Sequence, residues 1–199
     1  MDADDLMDPE RIEKQARYME EHTEVDVLTT GMVSMSNTFE LLGKRCCHST
    51  RPNIYNVFKN GDGLLHASMM AKTEWCKNHL YLNGFDRAED RELFTRTLGT
   101  SIYHILPEPL YYYTDVQGLT LEKYLKSYQS ERKTLRKNWK DALCIFQIFH
   151  LLLRSHLKSI IIRFYFFLSQ EQKLLINKNT PLEENELLEI KNKIQKIRS

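Results

Sequence analysis

The sequence has little of what marks the more specialised chemistries. Four cysteines stand in 199 residues, Cys46 and Cys47 side by side, Cys76 and Cys144 alone. No pair has the C-x-x-C spacing of a zinc or redox site. Free thiols in a cytosolic protein are the simplest reading. Charge of one sign is also missing. Lys and Arg total 28 against 27 Asp and Glu, a formal charge of +1, so bulk electrostatics points to no nucleic-acid partner. No basic stripe interleaved with aromatics precedes Lys123, and no internal repeat is visible. No basic segment followed by an apolar run opens the chain, so a signal peptide is not expected. Long uncharged runs are absent too. Within 142–168 the longest is Ala142–Leu153, short of the roughly 20 residues that span a bilayer. A transmembrane span is therefore not expected there.

What is present is an ordinary folded composition, 42% hydrophobic and 28% charged, long enough for one domain and an appendage. The charge is unevenly placed: residues 2–26 lean acidic, and basic residues crowd the chain from Lys123 onward. "DPERIEKQARYMEEH", 8–22, predicts a helix with Asp8 as its cap, Pro9 at the first position and Ile12, Ala16 and Met19 as the buried stripe. A strand is expected from about 25 to 35, with a short return strand or loop over 37–43. Residues 44–63 read as an irregular crossing, and "LLHASMMAK" as a strand. A brief helix over 73–78 and a turn at "LNGFD" lead to a helix in "RAEDRELFTRTLG". Its inward residues are Ala88, Leu93 and Leu98, and Gly99 stops it. "SIYHILPEPLYYYTD" reads as a strand broken by Pro107 and Pro109. Helices follow from Thr120, the last of them, over 178–199, charged and loosely attached. The stretch 142–168 reads as a helix buried against the domain or in a dimer face. The alternative is an interfacial helix, because basic residues alternate with apolar ones.

Two features could carry chemistry. Asp2 and Asp4 are two apart, so on an extended strand both carboxylates lie on one side. There they could share a divalent cation that keeps positions open for phosphate. An acidic, frayed terminus explains the same residues without function. Glu89 and Asp90 open a helix, where carboxylates are favoured by the backbone alone. A carboxylate at such a position facing a cleft is equally suited to general-base work.

The order "DADD", a proline-started helix ending near "EEHTEVDVL", "LLHASMM", "GFDRAEDRELFTRTL" and "LPEPLYYY" resembles the second half of the catalytic domain of glycosyltransferase family 2, which has the GT-A fold. The resemblance covers roughly residues 1–114. It implies an α/β fold class: a partial GT-A domain, Rossmann-like, over 1–118 and lacking its N-terminal βαβ units, then a helical C-terminal region over 119–199. The strands and the base pocket that open the family's domain would lie ahead of Met1. A fragment that turns over poorly alone is the expectation.

The resemblance also implies roles. Asp2 and Asp4 match the family's metal-binding DxD motif, Asp2 near the donor ribose or metal and Asp4 on a Mg²⁺ or Mn²⁺ ion bridging the donor diphosphate. Asp90 matches the catalytic base, with Glu89 orienting it or touching acceptor. His66 lies where the family's chain passes the acceptor site, and contact with donor or acceptor stands beside a structural role. Arg87 is similarly open, Arg91 is read toward the site or solvent, and Arg96 toward solvent. Trp75 and Tyr111–Tyr113 are read as packing, with sugar stacking as the alternative. The implied partners are a nucleotide-sugar donor and a glycan or lipid-linked acceptor, with no nucleic acid. The implied setting is surface polysaccharide or glycoconjugate synthesis in the cytoplasm, peripheral to the inner face of the membrane where 142–168 touches it, and a homo-oligomer fits the same stretch. The competing reading is a non-catalytic partner that binds another glycosyltransferase or the membrane surface through its C-terminal helices.

Overall fold

Nine consecutive residues of one strand, Val27–Met35 (β2), are buried, and they fix where the core lies. A strand buried along its whole length is covered on both faces. The computed structural model describes residues 4–48, 52–60, 64–85, 89–115, 120–138, 143–170 and 179–198. Among these, β2 pairs in parallel with β5 (Tyr103–Thr114), from Val27 opposite Tyr103 to Met35 opposite Thr114. On its other edge β2 pairs antiparallel with β4 (Met70–Ala71) and then β3 (Leu41–Arg45). β1 (Leu6–Met7) pairs antiparallel with the outer edge of β5. The result is a mixed sheet ordered β1-β5-β2-β3, with β4 beside β2.

The prolines do not break β5. They bulge it: the partner of β2 jumps from Leu106 to Pro109 between Thr30 and Gly31. Proline has no N–H for the ladder, and a bulge is where that loss is tolerated. Gly31 makes the close approach possible, because a Cβ there would sit 3.0 Å from the Pro107 carbonyl oxygen and 3.1 Å from that of Glu108.

Adjacent strand residues point to opposite faces, yet Tyr111 and Tyr112 are both fully buried. Each face is therefore covered. Over Tyr111 lies Arg11 of α1 (Arg11–Glu21), its guanidinium carbon 5.3 Å from the ring centre. Tyr112 packs with Val33, Met35, Ile190 and Ile194. The last two belong to α7 (Glu184–Arg198), so this helix is docked on the sheet rather than loosely attached. Lys193 of α7 reaches the buried Asp8 at 2.9 Å, and Lys44 of β3 pairs with Glu186.

The buried side of α1 also differs from the apolar stripe. Arg11 and Gln15 are buried, and Ile12 is 47% exposed. The Gln15 amide donates to the Ser68 carbonyl at 2.9 Å, a long-range partner that lets a polar side chain face inward. "LLHASMMAK" is a short 3-10 turn, His66–Ser68, before β4. The Ser68 hydroxyl accepts from the Thr30 amide at 2.9 Å, which uses the segment as a brace on β2.

The irregular crossing contains a helix, α2 (Ile54–Asn60). α3 (Thr73–Asn78) and α4 (Glu89–Thr97) cover the start of the parallel pair, where Trp75, Leu93 and Phe94 pack on Val27, Tyr103 and Ile105. Leu93 and Leu98 face inward as expected; Ala88 lies outside the described residues. Gly99 does not take a left-handed φ, and a Cβ there would meet open space. Hydrogen bonds from the Thr100 and Ser101 amides to the Thr97 carbonyl close the helix instead. α5 (Leu121–Asn138) and α6 (Ile145–Phe167) pack against each other and, through Leu135 and Leu151, on Ile54 and Phe58 of α2. α6 is one continuous helix of 23 residues, long and apolar enough to cross a membrane by length and composition. The interrupted run in the sequence argued otherwise, but Arg154 and Lys158 are too sparse to break its apolar character.

Candidate functional site

The acidic opening divides into carboxylates that the fold uses and one that it leaves outward. Asp5 is buried and accepts from the Tyr111 hydroxyl at 2.7 Å and the Thr114 amide at 2.8 Å. Asp8 is buried and accepts from the Tyr112 hydroxyl at 3.0 Å and the Glu10 amide at 2.9 Å, with Lys193 beside it. Burial works against the Asp8 charge, but the Lys193 ammonium, the Glu10 amide and the Tyr112 hydroxyl together hold the carboxyl below its ordinary value. These contacts use two of the three tyrosine hydroxyls and leave neither ring for a sugar. The segment is thereby pinned to the end of β5.

Asp4 is fastened differently. Its backbone carbonyl accepts from the Thr114 hydroxyl, and the residue is exposed. Its carboxylate is thus carried at the carboxyl end of β5, on the side of the sheet where parallel strands present ligands. Asp2 lies outside the described residues. Among the described residues no three or more His, Cys, Asp or Glu gather into a metal cage. Mg²⁺ sites completed by substrate phosphates need only one or two carboxylates, so an outward Asp4 on an anchored strand fits that smaller requirement.

The second group forms at the start of α4, whose first turn holds Glu89, Asp90 and Glu92. Glu92 is only 1% exposed and pairs with Arg96, which also donates to the Leu80 carbonyl at 2.9 Å. Arg96 is therefore a brace between α4 and the segment before it, not a solvent residue. Gly84, at φ 87°, makes the turn that returns the chain. Phe85 is buried beneath the ammonium groups of Lys133 and Lys137 from α5. Arg91 pairs with the buried Glu131 of α5 at 2.8 Å, so it too serves packing. Arg87 lies outside the described residues.

This framework sets Tyr81 beside the acidic helix start. Its phenol is pushed up by burial first, then by the charges of Asp90 and Glu89. The Tyr81 hydroxyl bonds His66 Nε2 at 2.5 Å. His66 also lies 6.0 Å from the Phe94 ring, centre to centre. His66, Tyr81, Glu89 and Asp90 thus form one neighbourhood. Glu89 is exposed and Asp90 half-buried, its Oδ1 accepting from the Arg91 amide at 2.7 Å. One carboxylate oxygen is held by the helix start, and a half-buried carboxylate so oriented is suited to taking a proton. Tyr81 was not singled out by the sequence. The signal available was a tyrosine just ahead of the turn that feeds an acidic helix.

Thr97 at the end of α4 bonds the Tyr103 hydroxyl at the start of β5, and Leu93 and Phe94 pack on that same part of the strand. Trp75 takes no part: its indole N–H donates to the Ser101 hydroxyl at 2.8 Å and its ring stacks on His79. Tyr113 is half-buried, with the Arg45 guanidinium carbon 6.0 Å from its ring centre.

No family model matches the chain. Over 147 residues it is 25% identical to an uncharacterized glycosyltransferase of Methanocaldococcus jannaschii, a match that takes in 71% of this chain and 50% of that protein. The chain spans about half the length of the relative it matches. The match supports a relationship to glycosyltransferases, and the mixed α/β fold is compatible with a Rossmann-like glycosyltransferase domain.

Proposed function

We propose that this chain carries the metal-side and acceptor-side residues of an inverting glycosyltransferase of family 2. The sugar would move from a nucleotide-diphosphate donor to an acceptor hydroxyl. Residues 1–118 would be the transferase part and 119–199 its helical extension. The observation that carries the reading is Asp90, a half-buried carboxylate at the first turn of α4 beside Tyr81 and His66. The match to a glycosyltransferase over most of the chain supports it.

In this reading Asp90 takes the acceptor hydroxyl proton as that oxygen bonds to the anomeric carbon and the bond to the diphosphate breaks on the opposite face. Inversion follows from a single displacement. Glu89 and the His66–Tyr81 pair orient the acceptor. Asp4, with Asp2, would hold a divalent cation, Mg²⁺ or Mn²⁺. That cation would supply neutralisation of the charge on the departing nucleoside diphosphate.

The test uses the whole chain with a panel of uridine- and guanosine-diphosphate sugars and Mn²⁺, reading nucleoside diphosphate release. Mn²⁺ affinity is read separately by paramagnetic resonance. Asp90→Asn is expected to lower transfer about 10²- to 10⁴-fold with Mn²⁺ affinity unchanged. Asp4→Ala is expected to weaken Mn²⁺. Unchanged transfer in Asp90→Asn would remove Asp90 from the role of base.

A further inference from the structure

α6 turns one face to α5 and leaves the other outward. Its buried residues are Ile148, Leu151, Ser155, Ser159 and Ile162. Between them, Phe146, Phe149, Leu153, Ile160, Phe164 and Phe167 lie on one helical face, Leu153 and Ile160 two turns apart and the others at three- and four-residue steps, and all are about half exposed or more, Phe146 at 81% and Phe167 at 83%. Ile145, Leu157 and Ile161 are exposed as well, which widens the strip beyond the narrow seam that two helices share. At 1.5 Å per residue the face is roughly 35 Å long. An apolar face of this size outward marks an interaction surface.

The charges beside it say what kind. Ile145–Phe167 contains Arg154, Lys158 and Arg163 and no Asp or Glu. At 100° per residue Arg163 borders one edge of the strip and Arg154 the other, with Lys158 behind. A two-fold contact between copies would set this face against itself and bring its like-charged edges together. An anionic surface would satisfy them.

The company the helix keeps argues against a membrane-crossing path. Arg132 of α5 donates to the hydroxyls of Ser155 and Ser159 at 3.2 and 3.0 Å, near the middle of α6. Spanning would draw a highly charged helix into hydrocarbon, where each charged residue is costly. We propose that α6 lies in the plane of an anionic lipid surface, its apolar face at the acyl boundary and Arg154 and Arg163 at headgroup level. This follows the physics of interfacial amphipathic helices and is independent of any transfer chemistry.

The experiment is co-sedimentation of the full chain with vesicles of phosphatidylcholine alone and of phosphatidylcholine with one quarter phosphatidylglycerol. The chain is expected to pellet with the anionic vesicles, and to do so less with neutral ones or when salt rises to about 1 M, where screening shortens to about 3 Å. Phe146→Ser with Phe164→Ser is expected to weaken binding about tenfold or more without changing the thermal midpoint, since both rings are exposed. Arg163→Glu is expected to weaken binding to the anionic vesicles only. Two results overturn the proposal. One is a chain that stays in the supernatant with both vesicle types. The other is a self-associating chain whose association, rather than vesicle binding, is lost in the phenylalanine variant.

Discussion

Lys193→Met would test whether α7 is held to the sheet by its ion pair. The substitution keeps the alkyl stem and deletes the ammonium 2.9 Å from Asp8 Oδ2. Asp8 is 2% exposed, so its charge cannot be handed to bulk water. Removing one partner of a fully buried pair costs about 3–5 kcal/mol. Here the loss is smaller, because Asp8 keeps the Tyr112 hydroxyl and the Glu10 amide, and because the Lys193 side chain is 28% exposed. We expect about 2–3 kcal/mol, within the range for a buried charged acceptor that loses a donor. For a chain of this length that is a fall of about 5–10 °C in thermal midpoint. Glu189, the other partner of Lys193, is 66% exposed, and Glu189→Gln should cost no more than about 0.5 kcal/mol.

Urea and thermal melts followed by circular dichroism measure both. The pH dependence adds a sign. The Asp8 carboxyl is held below its ordinary value, so its stabilisation is full above the unfolded carboxyl range, near pH ~4, and is lost as pH falls through the lowered value. Lys193 is held above its ordinary value despite partial burial, by Glu189 and Asp8. Its contribution is full below the unfolded lysine range and is lost only as pH rises through the raised value. The difference between wild type and Lys193→Met should therefore persist across neutral pH and close in acid. A Lys193→Met variant within about 0.5 kcal/mol of wild type at pH 7 would refute the reasoning.

Two further outcomes follow from the core. Gly31→Ala should cost about 1–3 kcal/mol in a urea melt. Its Cβ would meet Cys47 Sγ at 2.7 Å and the Pro107 carbonyl oxygen at 3.0 Å; adding Cys47→Ala should restore only part, since the carbonyl cannot swing away. The thiols should label in two classes with a maleimide near neutral pH. Cys76 and Cys144 are exposed and should react fast, whereas burial pushes the Cys47 thiol up to about 11, leaving little thiolate to attack. Equal labelling rates for Cys47 and Cys76 would contradict the buried placement.

What the sequence discloses depends on where a residue finds its partner. β2 is readable because an uncharged stretch with β-branched Val27, Thr29, Thr30 and Val33 suits a buried strand, and α4 because its acidic first turn and Leu93 are local signals. The inward side of α1 is not readable. Gln15 faces in because the Ser68 carbonyl waits there, and Ser68 is 53 residues away. "LLHASMMAK" has the apolarity of a strand, yet its serine is needed as a brace on the Thr30 amide, which favours a tight turn. α7 hides two buried isoleucines, Ile190 and Ile194, among charges. At the site, Asp90 stands out by its place at a helix start. Tyr81 does not, because its position is set by Arg96 reaching the Leu80 carbonyl.

The bulge in β5 also acts as a spacer. Strand faces alternate residue by residue, so a slip of one exchanges every side chain between the two sides. The extra residues around Pro107–Pro109 set the count by which Tyr111 arrives over Asp5 and Tyr112 over Asp8. Deleting a single residue there would swap the two rings between faces and detach both aspartates at once. With them would go the strand that holds Asp4 outward. The number of residues in that bulge, more than their identity, sets the position of the acidic opening.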